Sequence, residues 1–355
     1  RPSAFKPAVD SIMEIQPDGS FKRFNRCSGN SSRPSFGFAA LIADFDSRPG
    51  NELFIANDGM PNQFWTSDPH DTGPRRLLHE NANLFGCSTD PTGRSRGCMG
   101  IASGDLDRNG TLDLHVTNYW NQPSDIYLQR KTGLFVPANI EFGTYEASRK
   151  NVGWGTQAVD FDRDGHLDLA VLNGHLVNKP GGSEPYKMLP QLFQSRSGSP
   201  ARHTLSNPTD PYWTDPKLGR TMAVLDWNID GKPDLITNHL DAPVALLSNQ
   251  TTTGNSLQIE LIGTTSERDA IGARVTVSSD RQSWTQWETG GDGFLCSNEP
   301  VLDFGIANTE AVTRVDVHWP SGQTQTVHGL AINQRYLIIE GVAEAYARDQ
   351  SNLRR

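Results

Sequence analysis

The sequence is most informative at first for what it lacks. It contains no run of about 18 apolar residues, so no segment reads as a membrane-spanning helix. Positive charge is short: 32 Lys and Arg stand against 41 Asp and Glu. With a net charge of −9 and no basic stripe to offset it, nucleic acid is excluded as a partner. Cysteine is limited to Cys27, Cys87, Cys98 and Cys296 without a CxxC pair, which argues against a zinc site or a thioredoxin-like motif. No GxSxG, HExxH or P-loop is present. The chain opens on Arg1, as expected of a processed form. Hydrophobic residues make up only 35%, whereas glycine (33) and proline (22) are plentiful, a balance that favours short strands and tight turns over long helices.

What is present is repetition. "DLDRNGTLD" begins at Asp105, "DFDRDGHLD" at Asp160 and "DWNIDGKPD" at Asp226, with a weaker copy, "DFDSRPGNE", at Asp44. Each follows a short, small-residue or apolar run and precedes a strand-like segment ending in asparagine: "LFIAN", "LHVTN", "LAVLN", "LITN". In two of these, Leu112, Leu114 and Val116, and Leu167, Leu169 and Val171, alternate with other residues, which predicts strands with one buried face. A unit of strand, acidic loop, strand and further β-material cannot bury both faces alone. Radial stacking of such units as the blades of a β-propeller resolves this, with a solenoid as the structural rival.

The acidic loops have the chemistry of a hard-cation site. In the third, Asp160, Asp162, Asp164 and Asp168 occupy positions 1, 3, 5 and 9, with Gly165 at 6. Carboxylates on alternate residues of a curled loop converge on one point, as Ca²⁺ with its six to eight oxygen ligands requires, and Mg²⁺ fits less well. The second loop offers Asp105, Asp107, Asn109 and Asp113; the fourth offers Asp226, Asn228, Asp230 and Asp234. Backbone carbonyls at position 7, those of Thr111, His166 and Lys232, are further candidate ligands. The first loop supplies Asp44, Asp46 and Glu52, but Arg48 stands at position 5 and its glycine falls at 50, so this fourth site is expected to be the weakest. An EF-hand is rejected by position 12, where Val116, Val171 and Thr237 replace the bidentate glutamate. Asn30, Asn109 and Asn249 open glycosylation sequons, the middle one inside a candidate cation loop.

These repeats resemble the FG-GAP (VCBS-type) repeats of integrin α-chain propellers over residues 36–250, a resemblance that implies calcium in the loops. The stretches "RDAIGARVTV" (268–277), "GGDGFLCSNEPVLDFGI" (290–306), "VDVHWPSGQTQTV" (315–327) and "LIIEG" (337–341) resemble the ASPIC/UnbV domain of the cartilage acidic protein family and its bacterial relatives. Cys296 departs from the small or hydroxylic residue expected there. The expected fold is all-β: a β-propeller of FG-GAP-type blades with a small C-terminal β-sandwich or barrel. The expected organisation is a degenerate blade or closing strands in 1–35, the propeller in 36–250, the ASPIC/UnbV domain in 255–341 and a tail in 342–355. Residues 174–220 are long enough to hide another blade.

Cys87 and Cys98 flank a loop-like stretch that a disulfide could close, and Cys27 with Cys296 is a second conceivable pair; free thiols are the alternative. The longest gap between loops, 173–213, carries His175, Tyr186, Arg202, His203, Tyr212 and Trp213. Long loops on rigid scaffolds carry binding sites disproportionately, and this set suits a sugar or, if it converges, proton abstraction by a lyase. The plain alternative is packing between blades. Asp210 and Asp215 are acids free of the loops, without context for a glycosidase pair, and His318 reads as a surface residue on a strand. The expected function is a calcium-stabilised binding or adhesion module, secreted, at the cell surface or periplasmic, that recognises an extracellular glycan or protein. A polysaccharide lyase or glycoside hydrolase on the same scaffold, and a structural subunit of a larger assembly, are the alternatives.

Overall fold

The computed structural model describes residues 6–16, 18–23, 27–28, 34–67, 77–131, 133–196, 202–252 and 254–348. The N-terminal part gives a hairpin, β1 (Met13–Ile15) and β2 (Phe21–Arg23), and a short strand β3 (Cys27–Ser28). Four sheets follow in which consecutive strands pair antiparallel. Blade 1 contains β4 (Gly37–Ala43), β5 (Glu52–Asn57), β6 (Gln63–Ser67) and β7 (Leu78–Glu80), with β3 added parallel to β7, and is followed by helix α1 (Ala82–Phe85). Blade 2 contains β8 (Cys98–Gly104), β9 (Asp113–Asn118), β10 (Asp125–Lys131) and β11 (Leu134–Pro137), and helix α2 (Tyr145–Arg149) leads out of it. Blade 3 contains β12 (Gly153–Val159), β13 (Asp168–Asn173), β14 (Gln191–Arg196) and β15 (Arg202–Leu205), followed by helix α3 (Pro211–Thr214). Blade 4 has three strands, β16 (Gly219–Leu225), β17 (Asp234–His239) and β18 (Ala245–Leu247). Residues 174–220 hold no extra blade among those described: they supply β14, β15, α3 and the first residues of β16.

The innermost strands β8, β12 and β16 lie side by side, and glycine makes this approach possible. A Cβ on Gly100 would strike the Trp154 carbonyl, and one on Gly155 would meet the backbone of Arg220 and Met222. Separate apolar cores fill the seams. Leu41, Phe54, Phe64, Ile101 and Leu114 lie between blades 1 and 2; Ile126, Phe142, Leu169 and Phe193 between 2 and 3; Leu172, Tyr212, Met222 and Leu235 between 3 and 4.

Blade stacking changes one expectation. β9 and β13 are buried at every residue, not on one face alone, because a blade packs against each side. Two of the polar residues of β9 bond across the blade seam: His115 Nδ1 lies 2.9 Å from Thr156 Oγ1, and Thr117 Oγ1 donates to the Trp154 carbonyl at 2.8 Å. Among the second strands of the blades it is β17 that alternates, since the far face of blade 4 is uncovered and leaves Ile236 38% exposed. The described residues contain no sheet against that face, so the blades form an arc.

The remaining strands are β19 (Ser256–Ile262), β20 (Arg274–Ser278), β21 (Ser283–Trp287), β22 (Leu302–Gly305), β23 (Arg314–His318), β24 (Thr324–Val327), β25 (Arg335–Ile339) and β26 (Ala345–Ala347). They form two four-stranded sheets, β22-β19-β25-β26 and β21-β20-β23-β24, around Leu257, Val275, Phe304, Val317 and Ile338: a small β-sandwich. The chain is therefore all-β, four propeller-type blades with a C-terminal sandwich.

Candidate metal loops and the interdomain cavity

The four acidic loops share one strand framework and one left-handed apex. In each, the inner strand ends one residue before position 1 and the second strand begins at position 9, with Ala43–Glu52, Gly104–Asp113, Val159–Asp168 and Leu225–Asp234 as the closing register pairs. The fourth residue of every loop, Ser47, Arg108, Arg163 or Ile229, is left-handed with φ between 56° and 59°. At position 6, Gly110, Gly165 and Gly231 have φ of 83°, 89° and 85°, a region costly for any side chain. Their N–H groups donate to the position-1 carboxylates Asp105, Asp160 and Asp226 at 2.9, 2.8 and 2.9 Å. The position-7 N–H of Thr111, His166 and Lys232 donates to Asn109, Asp164 and Asp230 at 2.8, 2.9 and 2.9 Å. These bonds curl the chain in all three, but the Asp226, Asp230 and Asp234 carboxylates of the fourth loop are not among the groups that come close together.

Three loops gather carboxylate oxygens within 4.8 Å of one another: Asp44, Asp46 and Glu52; Asp105, Asp107 and Asp113; Asp160, Asp162 and Asp164. The first does so despite Arg48, whose side chain is 53% exposed and reaches Asp46 only at 3.8 Å. The position-9 acid has a second task that spacing did not reveal. Asp113, Asp168 and Asp234 each accept a backbone N–H from the third strand side of the blade, from Gln129, Ser195 and Asn249 at 2.7, 2.8 and 2.6 Å. They tie loop, second strand and third strand together.

Electrostatically the loops are unbalanced. Burial, with repulsion from Asp164, Asp168 and Asp162 adding to it, pushes the Asp160 carboxyl up to about 8 against the relief of the Gly165 N–H. Burial likewise raises Asp44 to about 6, Asp105 to about 7, Asp168 to about 7, Asp226 to about 6 and Glu52 to about 9, and lifts Asp113 well above the usual range. Asp105 Oδ1 and Asp168 Oδ2 are buried oxygens with no protein donor. An all-oxygen donor set with orphaned, buried carboxylate oxygens fits a hard divalent cation; these clusters could hold a metal ion.

The residues of the long 173–213 gap do not converge. His175 is buried and satisfied, its Nε2 3.2 Å from Tyr119 Oη and 3.1 Å from Glu184, while its Nδ1 accepts the Val177 N–H. Tyr186 contributes its carbonyl to the His175 N–H. His203, on β15, stacks on Phe142 at 5.4 Å and bonds the Leu167 carbonyl, and burial lowers it to about 4. Arg202 pairs in register with Arg196, and its side chain lies outside the described residues. Tyr212 is buried, its hydroxyl bonded to Thr237 and His239 at 2.9 and 3.0 Å. Trp213 alone of the set lines an open groove, about 530 Å³, with Met188, Leu189, Leu192 and Leu205. Asp210 caps α3 by accepting the Tyr212 N–H, and Asp215 pairs with Lys217. Among the described residues no disulfide is present. Cys87, Cys98 and Cys296 are free thiols; Cys87 Sγ turns back to the Ala82 carbonyl at 3.8 Å, while Cys296 Sγ lies against the Asp292 carbonyl and Gln157. The Cys27 side chain lies outside the described residues.

The glycine-rich "GGDGFLCSNE" segment crosses all four inner strands. Gly290 exchanges backbone bonds with Ile42 of blade 1, and Gly293 with Ile101 of blade 2. Asn298 Nδ2 donates to Gln157 of blade 3, and Asn298 Oδ1 and the Glu299 N–H engage Val224 of blade 4. At its tip Phe294 enters the axis against Trp154 and Phe38. A Cβ at Gly291 would collide with the Ala40 carbonyl, so the glycines are there to fit. Beside this strap lies a cavity of about 410 Å³ between blades and sandwich, lined by Glu288, Asp292, Glu299, Asp303, Gln157 and Trp287 among others. Its amide donors are already used: Gln157 on the Met222 carbonyl, Asn298 on Gln157, Gln286 on the Asp303 carbonyl. The Asp292 carboxylate accepts from Ser103 and is pushed up to about 7 by burial. The cavity thus presents acceptors.

Residues 263–345 match the family described as ASPIC and UnbV, and residues 105–171 match the FG-GAP-like repeat. Cartilage acidic protein 1 of Mus musculus is 29% identical over 330 residues, covering 88% of this chain and 47% of the relative. Its Homo sapiens counterpart is 25% identical over 359 residues, covering 97% of this chain and 50% of the relative. The chain thus spans about half the length of these curated relatives. A solved structure titled for the recognition of non-reducing terminal N-acetylglucosamine by an Agrocybe aegerita lectin aligns with 68% of this chain and 60% of its own at a TM-score of 0.38 and 13% identity, too distant to bear on either fold or ligand.

Proposed function

We propose that this chain is a calcium-stabilised binding module that works outside the cytosol and recognises a glycan or protein partner. The observation that carries the calcium reading is the repeated loop itself. Four copies share one left-handed turn and oxygen-only donors, and buried Asp105 Oδ1 and Asp168 Oδ2 lack any protein donor. Calcium suits them better than magnesium, because three loops bring several carboxylates together, more protein oxygens than magnesium takes while it keeps its waters. Asp160, Asp162, Asp164 and Asp168, the His166 carbonyl, and the corresponding groups of the other loops would hold it. The bound ion would neutralise the clustered charge and fix each blade's first turn.

The relatives named for cartilage support an extracellular place, and the FG-GAP-like match supports a partner-binding role. The surface best shaped for a small partner group is the interdomain cavity, whose acceptor-rich lining suits hydroxyl or ammonium donors over acidic polysaccharides. Calcium titration by calorimetry on chelator-stripped protein tests the first half, with binding expected and no heat contradicting it. A screen of neutral, amino and acidic glycans for saturable binding and for product tests the second. Binding without turnover supports the module, and turnover would replace it with a lyase or hydrolase.

A further inference from the structure

Every acidic loop also touches the C-terminal sandwich, and three of the four do so through the residue at the apex of the turn. In loop 1, Ser47 Oγ accepts from Arg274 at 2.7 Å, and Asn51 Nδ2 donates to the Ile271 carbonyl at 2.8 Å. In loop 2, Arg108 donates to the Ser283 carbonyl at 3.1 Å and lies 5.5 Å from the Trp284 ring centre. In loop 3, Arg163 is buried, donates to Asp303 at 2.8 Å, and accepts the Ala307 N–H on its carbonyl at 2.9 Å. Loop 4 makes the same contact through other groups: the Gly231 carbonyl accepts from Gln258 at 3.0 Å, and the Asp226 N–H donates to Glu299 at 2.9 Å.

Ser47, Arg108 and Arg163 are the left-handed fourth residues of their loops; Arg108 and Arg163 stand between the position-3 and position-5 ligand candidates, and Ser47 directly follows the position-3 candidate Asp46. Their placement depends on how tightly that turn is drawn. Where charged, the clustered acids of each loop repel one another and open it; a divalent cation draws them in.

We propose that cation loading of the acidic loops docks the C-terminal sandwich onto the blades, so that calcium controls whether the strap and the interdomain cavity are assembled. The inference rests on the calcium reading above and adds to it a function for the loop apices. By linkage the effect is reciprocal: a docked sandwich raises calcium affinity by the factor by which calcium favours docking. Undocking withdraws residues 290–299 from the four inner strands, exposes the cavity lining and frees Cys296 from its place beside Gln157. Cys87 and Cys98 lie instead in the core between blades 1 and 2, and stay protected as long as the blades stay folded.

Those thiols make the test site-resolved. The full chain is alkylated in calcium and in chelator, each cysteine is quantified by mass spectrometry, and calcium uptake is measured in parallel by calorimetry. The expected result is a Cys296 rate on the order of tenfold higher in chelator, a typical allosteric coupling, with Cys87 and Cys98 unchanged. Asp303→Asn, which weakens the partner of Arg163 from the sandwich side and touches no ligand, should raise Cys296 reactivity in calcium. Because docking is linked to loading, it should lower calcium affinity by the same factor. Calcium uptake with Cys296 equally protected in chelator overturns the coupling and leaves the calcium reading intact. Absence of calcium uptake overturns both. Simultaneous exposure of all three thiols on chelation overturns the separable docking step in favour of global unfolding.

Discussion

Two buried carboxylates, one in each half of the molecule, meet opposite fates. Glu340 of the sandwich is 2% exposed and accepts N–H bonds from Thr264, Thr265 and Ser266 at 2.8, 2.8 and 2.7 Å and hydroxyl bonds from Ser266 and Ser321 at 3.0 and 2.6 Å. Burial pulls its carboxyl up, but these donors outweigh burial and hold it at about 2. Asp160 of blade 3 is 6% exposed, receives N–H bonds from Asp164 and Gly165, and has like charges beside it; it rises to about 8. The sandwich satisfies its anion with its own donors. The blades leave theirs short of donors, and on the proposed calcium reading stability should track ion supply.

The comparison breaks most visibly on chelation. At a hundredfold excess of calcium over Kd, each saturated loop contributes about 3 kcal/mol. EGTA should therefore lower the blade melting transition by well over 10 °C, read by calorimetry, and lower any separate sandwich transition only by what docking onto the blades contributes. Removing the sandwich's anion comes next. Glu340→Ala leaves the surrounding N–H groups without their acceptor and should cost about 3 kcal/mol of sandwich stability in calcium and chelator alike. Denaturant unfolding of the variant checks this; a calcium-dependent loss would show that the halves are not separately satisfied.

Glycine substitutions sharpen the loops one at a time. Gly110→Ala meets only its φ of 83° and should cost about 1–2 kcal/mol, whereas Gly165→Ala adds a collision with Trp284 Nε1 and should cost more. Equal losses in thermal melts would mean that the sandwich does not press on loop 3.

The pH dependence should run in opposite directions. The contribution of Glu340 is complete above its unfolded value near 4.5 and is lost as pH falls toward about 2. The loop acids are raised in the folded state, so the chelated protein binds more protons folded than unfolded. Its stability should fall as pH rises from about 4 through the 6–8 range of Asp44, Asp105, Asp160 and Asp226. Melting curves between pH 5 and 8 in EGTA should slope downward, and saturating calcium should flatten them.

How much of this was legible follows from what each residue does locally. Alternate acids around a glycine encode a curled loop within nine residues, so the loops and the strands they join could be read directly. Blade stacking is not local: nothing in "DLHVTN" says that His115 and Thr117 will be covered by the next blade, so both faces of β9 are buried where one was expected. His175, His203 and Tyr212 are close in sequence yet fall into separate packing environments, because His175 lies in the loop before β14, His203 on β15 and Tyr212 on α3. The strap was visible as a family motif, but its path across Ile42, Ile101, Gln157 and Val224 depends on partners 70 to 250 residues away, beyond any local pattern.

The most direct test of the central claim is calorimetric titration of the chelator-stripped full chain with calcium at pH 7. Uptake of at least three ions per chain is expected, one for each close carboxylate group, with a matching rise in melting temperature. Absence of uptake, with a melt indifferent to calcium and chelator, would contradict that claim.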